Sequence, residues 1–77
     1  MKEAVEMIVK ALVDDQEAVA VQEIERDDGA TLIEIRVGQP DMGKVIGKQG
    51  RTVRALRSLA HAVSVKKKRR YILDVVE

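Results

Sequence analysis

Residues 45–56 of the chain read Val-Ile-Gly-Lys-Gln-Gly-Arg-Thr-Val-Arg-Ala-Leu. Two apolar residues precede a Gly-x-x-Gly unit, and apolar residues occupy the third and sixth positions after Gly50. Gly47 can adopt the left-handed conformation that ends a helix, and Gly50, which lacks a Cβ, lets another backbone approach closely. The pattern therefore predicts two helices joined by a tight turn, with Lys48 and Gln49 at its tip.

The same stretch favours phosphate binding. Backbone N–H groups without helical partners point toward the turn from the helix that follows Gly50, and the positive end of the helix dipole lies there. Phosphate oxygens accept hydrogen bonds from such groups. A nucleotide-hydrolysing P-loop fits less well, because residues 43–48 have one residue too few between the glycines. Gln49 also stands where a Mg²⁺-binding hydroxyl belongs.

Hydrophobic periodicity and turn residues define the elements on either side. The predicted elements are a helix over residues 3–13, a strand over 18–26, a hairpin turn over 27–29, a strand over 31–37, a short helix over 42–46, a helix over 51–63, a connection over 66–70 and a closing strand from Tyr71. A slip in the alternation near Gln22 and Glu23 predicts a β-bulge, and Asp41 is a candidate cap for the short helix. This order predicts an α+β fold, in which helices cover one face of a three-stranded sheet.

Length and composition narrow the possible functions. The 77 residues predict a single domain over residues 1–77. Cys is absent and Tyr71 is the only aromatic residue, which excludes disulfides and argues against base stacking on aromatic platforms. His61 is the only histidine and is placed on an exposed helix face, so we expect no enzyme activity, metal or cofactor. No leader or membrane-spanning run is recognisable, so we expect a cytoplasmic protein.

Charge is distributed unevenly along the chain. Residues 1–43 carry four basic and eleven acidic side chains, a net charge of −7, whereas residues 44–77 carry ten basic and two acidic ones, a net charge of +8. The second half is therefore predicted to present a surface suited to polyanions. Its five consecutive cations, Lys66 to Arg70, repel one another unless an anion approaches. Lys66, Lys67 and Lys68 are accordingly candidate contacts for a polyanionic partner, with a solvated turn as the alternative.

In this setting, residues 45–56 resemble the signature of the KH domain, V-I-G-x-x-G-x-x-I-x-x-I, with Val53 and Leu56 in the last two apolar places. The helix and hairpin before the signature and the strand after it are similar to the bacterial, type II arrangement, α-β-β-α-α-β. Because the resemblance runs over essentially the whole chain, the sequence resembles the small stand-alone bacterial KH proteins of the KhpA (YlqC) family.

The resemblance implies an RNA chaperone or post-transcriptional regulator that binds single-stranded RNA. In KH domains the Gly-x-x-Gly loop clamps the backbone of about four nucleotides, and an apolar groove receives the bases. The contact residues that the resemblance implies are Lys44, Val45, Ile46, Gly47, Lys48, Gln49, Gly50, Arg51 and Arg54. Met42 and Val53 are further groove candidates, and core packing is the alternative interpretation of the apolar side chains.

A second class of function stays open, that of a protein-interaction subunit. Ala55, Leu59 and Ala62, together with Ser58, form a strip of mostly small side chains on the long helix, and another helix could approach it closely. A domain of this size gains stability from burying more surface. The strip therefore predicts a homodimer, and the resemblance implies a larger KH-containing partner of the Jag/KhpB type as well.

Overall fold

The computed structural model describes residues 1–76, and the predicted order of elements is confirmed. These elements are α1 (Lys2–Leu12), β1 (Ala20–Glu25), β2 (Thr31–Arg36), α2 (Met42–Ile46), α3 (Arg51–Lys67) and β3 (Tyr71–Val76). Short 3₁₀ turns occupy Gln16–Ala18, Gln39–Asp41 and Lys48–Gly50. Within residues 1–76, no helix is both long enough and apolar enough to cross a membrane.

The sheet is mixed, with the strand order β1-β2-β3. β1 pairs antiparallel with β2 through the hairpin, so that Val21 lies opposite Ile35. β2 pairs parallel with β3, and Ile33 lies opposite Leu73. A parallel pair needs a long crossover connection. Residues 37–70, which contain α2, α3 and the turn between them, form this connection.

The core lies between the helices and one face of the sheet, as the α+β prediction requires. Alternate residues of the strands point toward the helices, and Ile33 and Ile35 of β2 are fully buried. The buried apolar cluster consists of Val5, Val9, Val13, Val21, Ile33, Ile35, Val37, Val45, Leu56, Ala60 and Leu73. Because Leu56 and Ala60 of α3 belong to this cluster, packing fixes the orientation of α3 and of the turn at its start.

The predicted β-bulge is wrong. β1 pairs with β2 in unbroken register from Ala20 opposite Arg36 to Glu25 opposite Thr31. Val21 is the one buried residue of β1, because this strand lies at the edge of the sheet. Glu23 lies on the helix side and stays exposed there, where its carboxylate accepts a hydrogen bond from the Lys2 N–H at 3.2 Å. The hydrophobic alternation of β1 slips because the strand lies at the edge of the sheet, and not because an extra residue is inserted.

Asp41 precedes α2, but its side chain does not cap that helix. Asp41 is 4% exposed, and its carboxylate accepts hydrogen bonds from the backbone N–H groups of Asp14, at 3.3 Å, and Asp15, at 3.1 Å. The Asp15 N–H, followed by the Asp14 N–H and the Lys44 ammonium, holds the pKa of Asp41 below its usual value, although burial acts in the opposite direction. Asp41 thus ties the segment after α1 to the start of α2.

Candidate nucleic-acid interface

The turn between α2 and α3 contains three residues with positive φ. Gly47 ends α2 at φ 78° and ψ 167°, Gln49 has φ 58°, and Gly50 has φ 73°. Gly50 and Gln49 occupy the left-handed helical region, whereas the combination at Gly47 is almost confined to glycine. The two glycines and Gln49 together reverse the chain within four residues.

The two glycines are needed for different reasons. A Cβ on Gly47 would lie 2.7 Å from Thr52 Cβ and 2.8 Å from Thr52 N, which real side chains do not tolerate. A Cβ on Gly50 would meet nothing closer than 3.9 Å. Gly47 is therefore required by the close approach of α3, whereas a Cβ on Gly50 would make only ordinary van der Waals contacts.

The side chain of Arg54, on α3, holds the turn in place. The guanidinium of Arg54 donates a hydrogen bond from Nη2 to the Gln49 carbonyl at 2.7 Å, and the Gly50 N–H donates to the Gly47 carbonyl at 3.1 Å. No side chain caps the start of α3. Lys48 and Gln49 are exposed at the tip. The turn thus presents a cation and the positive end of the α3 dipole on a fixed backbone.

The candidate groove residues divide into exposed and buried positions. Ile46 is 38% exposed beside the turn, and Met42 and Val53 are half-buried. Val45, predicted as an RNA contact, is fully buried in the core. Its side chain packs under the groove and does not reach the surface, which corrects that prediction.

Lys44 lies on α2 and forms ion pairs with carboxylates from the first half of the chain. Its ammonium binds the Asp14 carboxylate directly and lies 3.6 Å from Asp41 Oδ1. The hydrogen bond with Asp14, followed by the field of both carboxylates, raises the pKa of Lys44. The predicted contribution of Lys44 to RNA binding is therefore weakened, because a phosphate would have to compete with two carboxylates.

The cationic run Lys66–Arg70 is far from the turn. α3 continues through Lys67. The prediction that residues 66–70 form a connection is therefore wrong for Lys66 and Lys67, which belong to the helix. A helix of 17 residues is about 25 Å long at 1.5 Å per residue. Arg69 pairs with Glu25 at 2.5 Å. The candidate RNA contacts Lys66, Lys67 and Lys68 therefore lie at the opposite end of α3 from the turn.

The remaining predicted positions lie on the outer surface of α3. Ala55, Ala62 and His61 are exposed, and Leu59 is 36% exposed. Among residues 1–76, no cluster of His, Cys, Asp and Glu side chains could hold a metal ion.

Sequence reasoning missed Ser64, which fixes the start of β3 against α3. The Ser64 hydroxyl donates to the Ala60 carbonyl at 2.8 Å and accepts a hydrogen bond from the Tyr71 N–H at 2.9 Å. The Arg69 N–H donates to the Ser64 carbonyl at 3.1 Å. A serine followed by a strand seven residues later carries no recognised signal, so only the three-dimensional arrangement shows this role.

Two helices joined by a Gly-x-x-Gly turn, inserted between parallel strands of a three-stranded sheet, define a KH domain. The family model described as "KhpA/KhpB, KH domain" matches residues 2–75, and the chain belongs to this family. It is 54% identical to the RNA-binding protein KhpA of Halalkalibacterium halodurans, with both chains covered completely. It is 47% identical to RNA-binding protein KhpA of Caldanaerobacter subterraneus subsp. tengcongensis, over 99% of this chain and 100% of the relative. The identity to RNA-binding protein KhpA of Aquifex aeolicus is 44%, over 100% of this chain and 96% of the relative.

Proposed function

We propose that the protein binds single-stranded RNA through the turn Gly47–Gly50 and acts as an RNA chaperone or post-transcriptional regulator, without catalysis. The phosphate backbone lies against the turn and the first residues of α3, and the bases lie against Ile46 and its half-buried neighbours. Membership of the family, and the RNA-binding names of the relatives, support this proposal. This function places the protein in the cytoplasm.

The observation that carries the proposal is the fixed backbone of the turn. Arg54 is committed to the Gln49 carbonyl, which leaves Lys48 and Arg51 as exposed cations on either side of Gly50. A binding surface that is already ordered costs little conformational entropy when the ligand arrives. Because Gly50 has no side chain, a sugar–phosphate chain can approach the backbone there.

Affinity for single-stranded RNA is expected to fall steeply with salt. Each phosphate neutralised on a single strand contributes a slope of about −0.7 to a plot of log affinity against log salt concentration. Contacts from Lys48, Arg51 and the start of α3 therefore predict a slope of about −2. Fluorescence anisotropy of a labelled oligonucleotide at several salt concentrations measures it. Absence of binding at low salt contradicts the proposed function, and a flat salt response contradicts the phosphate contacts.

We further propose that α3 mediates self-association, and that the same surface suits a larger KH partner of the Jag/KhpB type. Ala55, Leu59 and Ala62 are exposed along one side of α3, and the small side chains of the two alanines let a second helix approach. The turn at the start of α3 stays accessible in such a dimer. Two turns could then act on one RNA and raise its apparent affinity through effective concentration.

Ala62→Arg is expected to convert the dimer into monomers. In a two-fold interface the introduced guanidinium faces its own symmetry mate, which adds bulk and like charge at the centre of the contact. Analytical ultracentrifugation at tens of micromolar measures the mass. The matched control is Ala4→Arg, at an exposed alanine of α1, which should leave the dimer intact. A monomeric parent protein, or a dimeric Ala62→Arg variant, contradicts this interface.

A further inference from the structure

The outer edge of β1 is not covered by another strand. β1 is the first strand in the order β1-β2-β3, and within residues 1–76 it pairs with β2 alone. Proline residues and bulges commonly block a free edge. The six residues of β1, Ala20–Glu25, contain no proline, and their register with β2 is unbroken. The outer edge of β1 is therefore open to a further strand.

The hairpin shows which backbone groups of β1 point outward. The Arg26 N–H donates to the Ala30 carbonyl at 2.8 Å, so these two residues form a hydrogen-bonded pair. Such pairs alternate along an antiparallel ladder, so the even-numbered residues of β1 bind β2. Val21, Glu23 and Glu25, which we call the β1 edge, direct their N–H and carbonyl groups away from β2. In the part of the chain that the structure describes, no loop or helix binds these outward groups.

The β1 edge carries two acidic side chains. Glu23 and Glu25 lie on the helix side of the sheet, and both are exposed. Glu25 is paired with Arg69. Glu23 accepts a hydrogen bond from the backbone N–H of Lys2 but forms no ion pair within residues 1–76. Because opposite charges that face each other across two strands stabilise the pair, a strand with Lys or Arg opposite Glu23 fits this edge.

A second copy of β1 fits the edge poorly. In an antiparallel pair of two identical strands, the register that uses all three residues of the β1 edge places Glu23 opposite its own symmetry mate. Two carboxylates without cationic partners then face each other, which destabilises the pair. The occupant that the charges favour is therefore a strand of different, basic sequence.

The face of the sheet that the helices do not cover determines the other side chains of that strand. Ile24, Leu32 and Ile72 are direct cross-strand neighbours on this face, and Ile24, at the end of the row, is 38% exposed. A strand added beside β1 places one residue opposite Ile24, in a pair without hydrogen bonds, where side chains approach most closely. An apolar side chain at that position extends the row and covers Ile24.

We propose that the β1 edge binds an extended segment of a partner protein in which Lys or Arg residues alternate with apolar residues. The segment adds an antiparallel fourth strand to the sheet. Its basic side chains lie on the helix side, opposite Glu23 and Glu25, and its apolar side chains lie on the uncovered face beside Ile24. Neither the Gly-x-x-Gly turn nor α3 takes part, so this inference does not depend on the proposed RNA binding.

The test uses the full chain and three synthetic peptides of eight residues. In the first peptide Lys and Val alternate. The second has the same composition, with four Lys followed by four Val, so it keeps the charge but loses the alternation. The third is the alternating peptide with N-methyl groups on its Lys residues, whose N–H groups are the ones expected to bind β1. Fluorescence anisotropy measures the affinities, and hydrogen exchange followed by NMR locates the bound peptide.

We expect the alternating peptide to slow hydrogen exchange at the amides of Val21, Glu23 and Glu25. The even-numbered amides of β1 should change little, because they already bind β2. The N-methylated peptide should bind at least about tenfold more weakly, since several backbone hydrogen bonds are lost. The peptide with four Lys followed by four Val should protect none of the three amides.

A charge reversal tests the acidic side chain. Glu23→Lys should weaken binding of the alternating peptide by about fivefold or more, because an opposite-charge pair becomes a like-charge pair. The matched control is Asp15→Lys, at an exposed residue beyond the C-terminal end of α1, whereas Glu23 lies at the N-terminal end of that helix. The 11 residues of α1 span about 16 Å, which exceeds the Debye length of about 10 Å in 0.1 M salt. The control should therefore keep the parent affinity within about twofold.

Several outcomes would overturn this inference. Absence of binding by the alternating peptide does so, as does binding without protection of the three amides. Equal losses in Glu23→Lys and Asp15→Lys would indicate a diffuse acidic field and not a strand site. Protection of the same amides without peptide, increasing with protein concentration, would assign the edge to a second copy of the chain. Protection by single-stranded RNA would assign it to nucleic acid, and either result refutes the basic segment as the occupant.

Discussion

We expect the double variant Lys48→Asp/Gln49→Asp to lose affinity for single-stranded RNA by at least about a hundredfold, because like charges opposed across an interface cost several kcal/mol. Both side chains are exposed at the tip of the turn, so the fold should persist. Anisotropy titration measures the affinity, and circular dichroism with thermal unfolding checks the structure. Gln49 has a positive φ, which aspartate tolerates better than most residues.

A matched control separates the location of the charges from their number. Lys2→Asp/Gln16→Asp changes the net charge by the same amount on α1 and the turn that follows it, away from the Gly-x-x-Gly turn. This control should retain most of the parent affinity. Comparable losses in the two double variants would mean that overall charge governs binding, and parent-like affinity in Lys48→Asp/Gln49→Asp would refute the turn as the RNA site.

The second large effect is expected for Gly47→Ala, which should destabilise the fold by about 3 kcal/mol or more, because a strained backbone conformation alone costs about 1–3 kcal/mol. The added Cβ would also collide with Thr52, including its backbone nitrogen, which lies 2.8 Å from the Cβ position. α3 would have to move to relieve this contact. Urea unfolding monitored by circular dichroism measures the change in the free energy of unfolding.

Two other glycines provide the comparison. Gly50→Ala places a Cβ no closer than 3.9 Å to any neighbour, at φ 73°, so the left-handed conformation alone should cost about 1–2 kcal/mol. Gly43→Ala lies within α2, has no atom within 4 Å of the new Cβ, and should stabilise the helix by up to about 1 kcal/mol. Equal effects of Gly47→Ala and Gly50→Ala would show that the contact with Thr52 is not what requires Gly47.

The sequence predicted the elements well where hydrophobic periodicity is strong. Ile33 and Ile35 alternate cleanly and are fully buried, and the Gly-x-x-Gly spacing predicts the turn between α2 and α3 correctly. Prediction failed at the edge of the sheet, because a strand with one buried residue, Val21, carries too little periodicity to define its register. It also ended α3 too early, since the lysines at the end of that helix have no apolar spacing to reveal it.

Only the part of the candidate site formed by residues adjacent in sequence could be predicted. Gly47 to Gly50 are adjacent in sequence, and their conformation follows from residue type. Contacts between distant residues were not predictable, because no spacing rule relates Lys44 to Asp14, 30 residues away, or Arg69 to Glu25, 44 residues away. These ion pairs cross between the acidic and the basic halves, so linear charge counts overstate the cationic surface.

The parallel pairing of β2 with β3 also has a kinetic consequence. Its partners, such as Thr31 and Tyr71, are 40 residues apart, and contacts of such long sequence separation slow folding. During translation, the segment that contains α1 and the β1–β2 hairpin leaves the ribosome before β3 does. At that stage β2 still has an unpaired edge, and the side chains of Ile33 and Ile35 are exposed. Until β3 is synthesised and seals that edge, the nascent chain is open to intermolecular strand pairing. Pairing of β3 with β2 therefore removes the edge through which copies of the chain could aggregate.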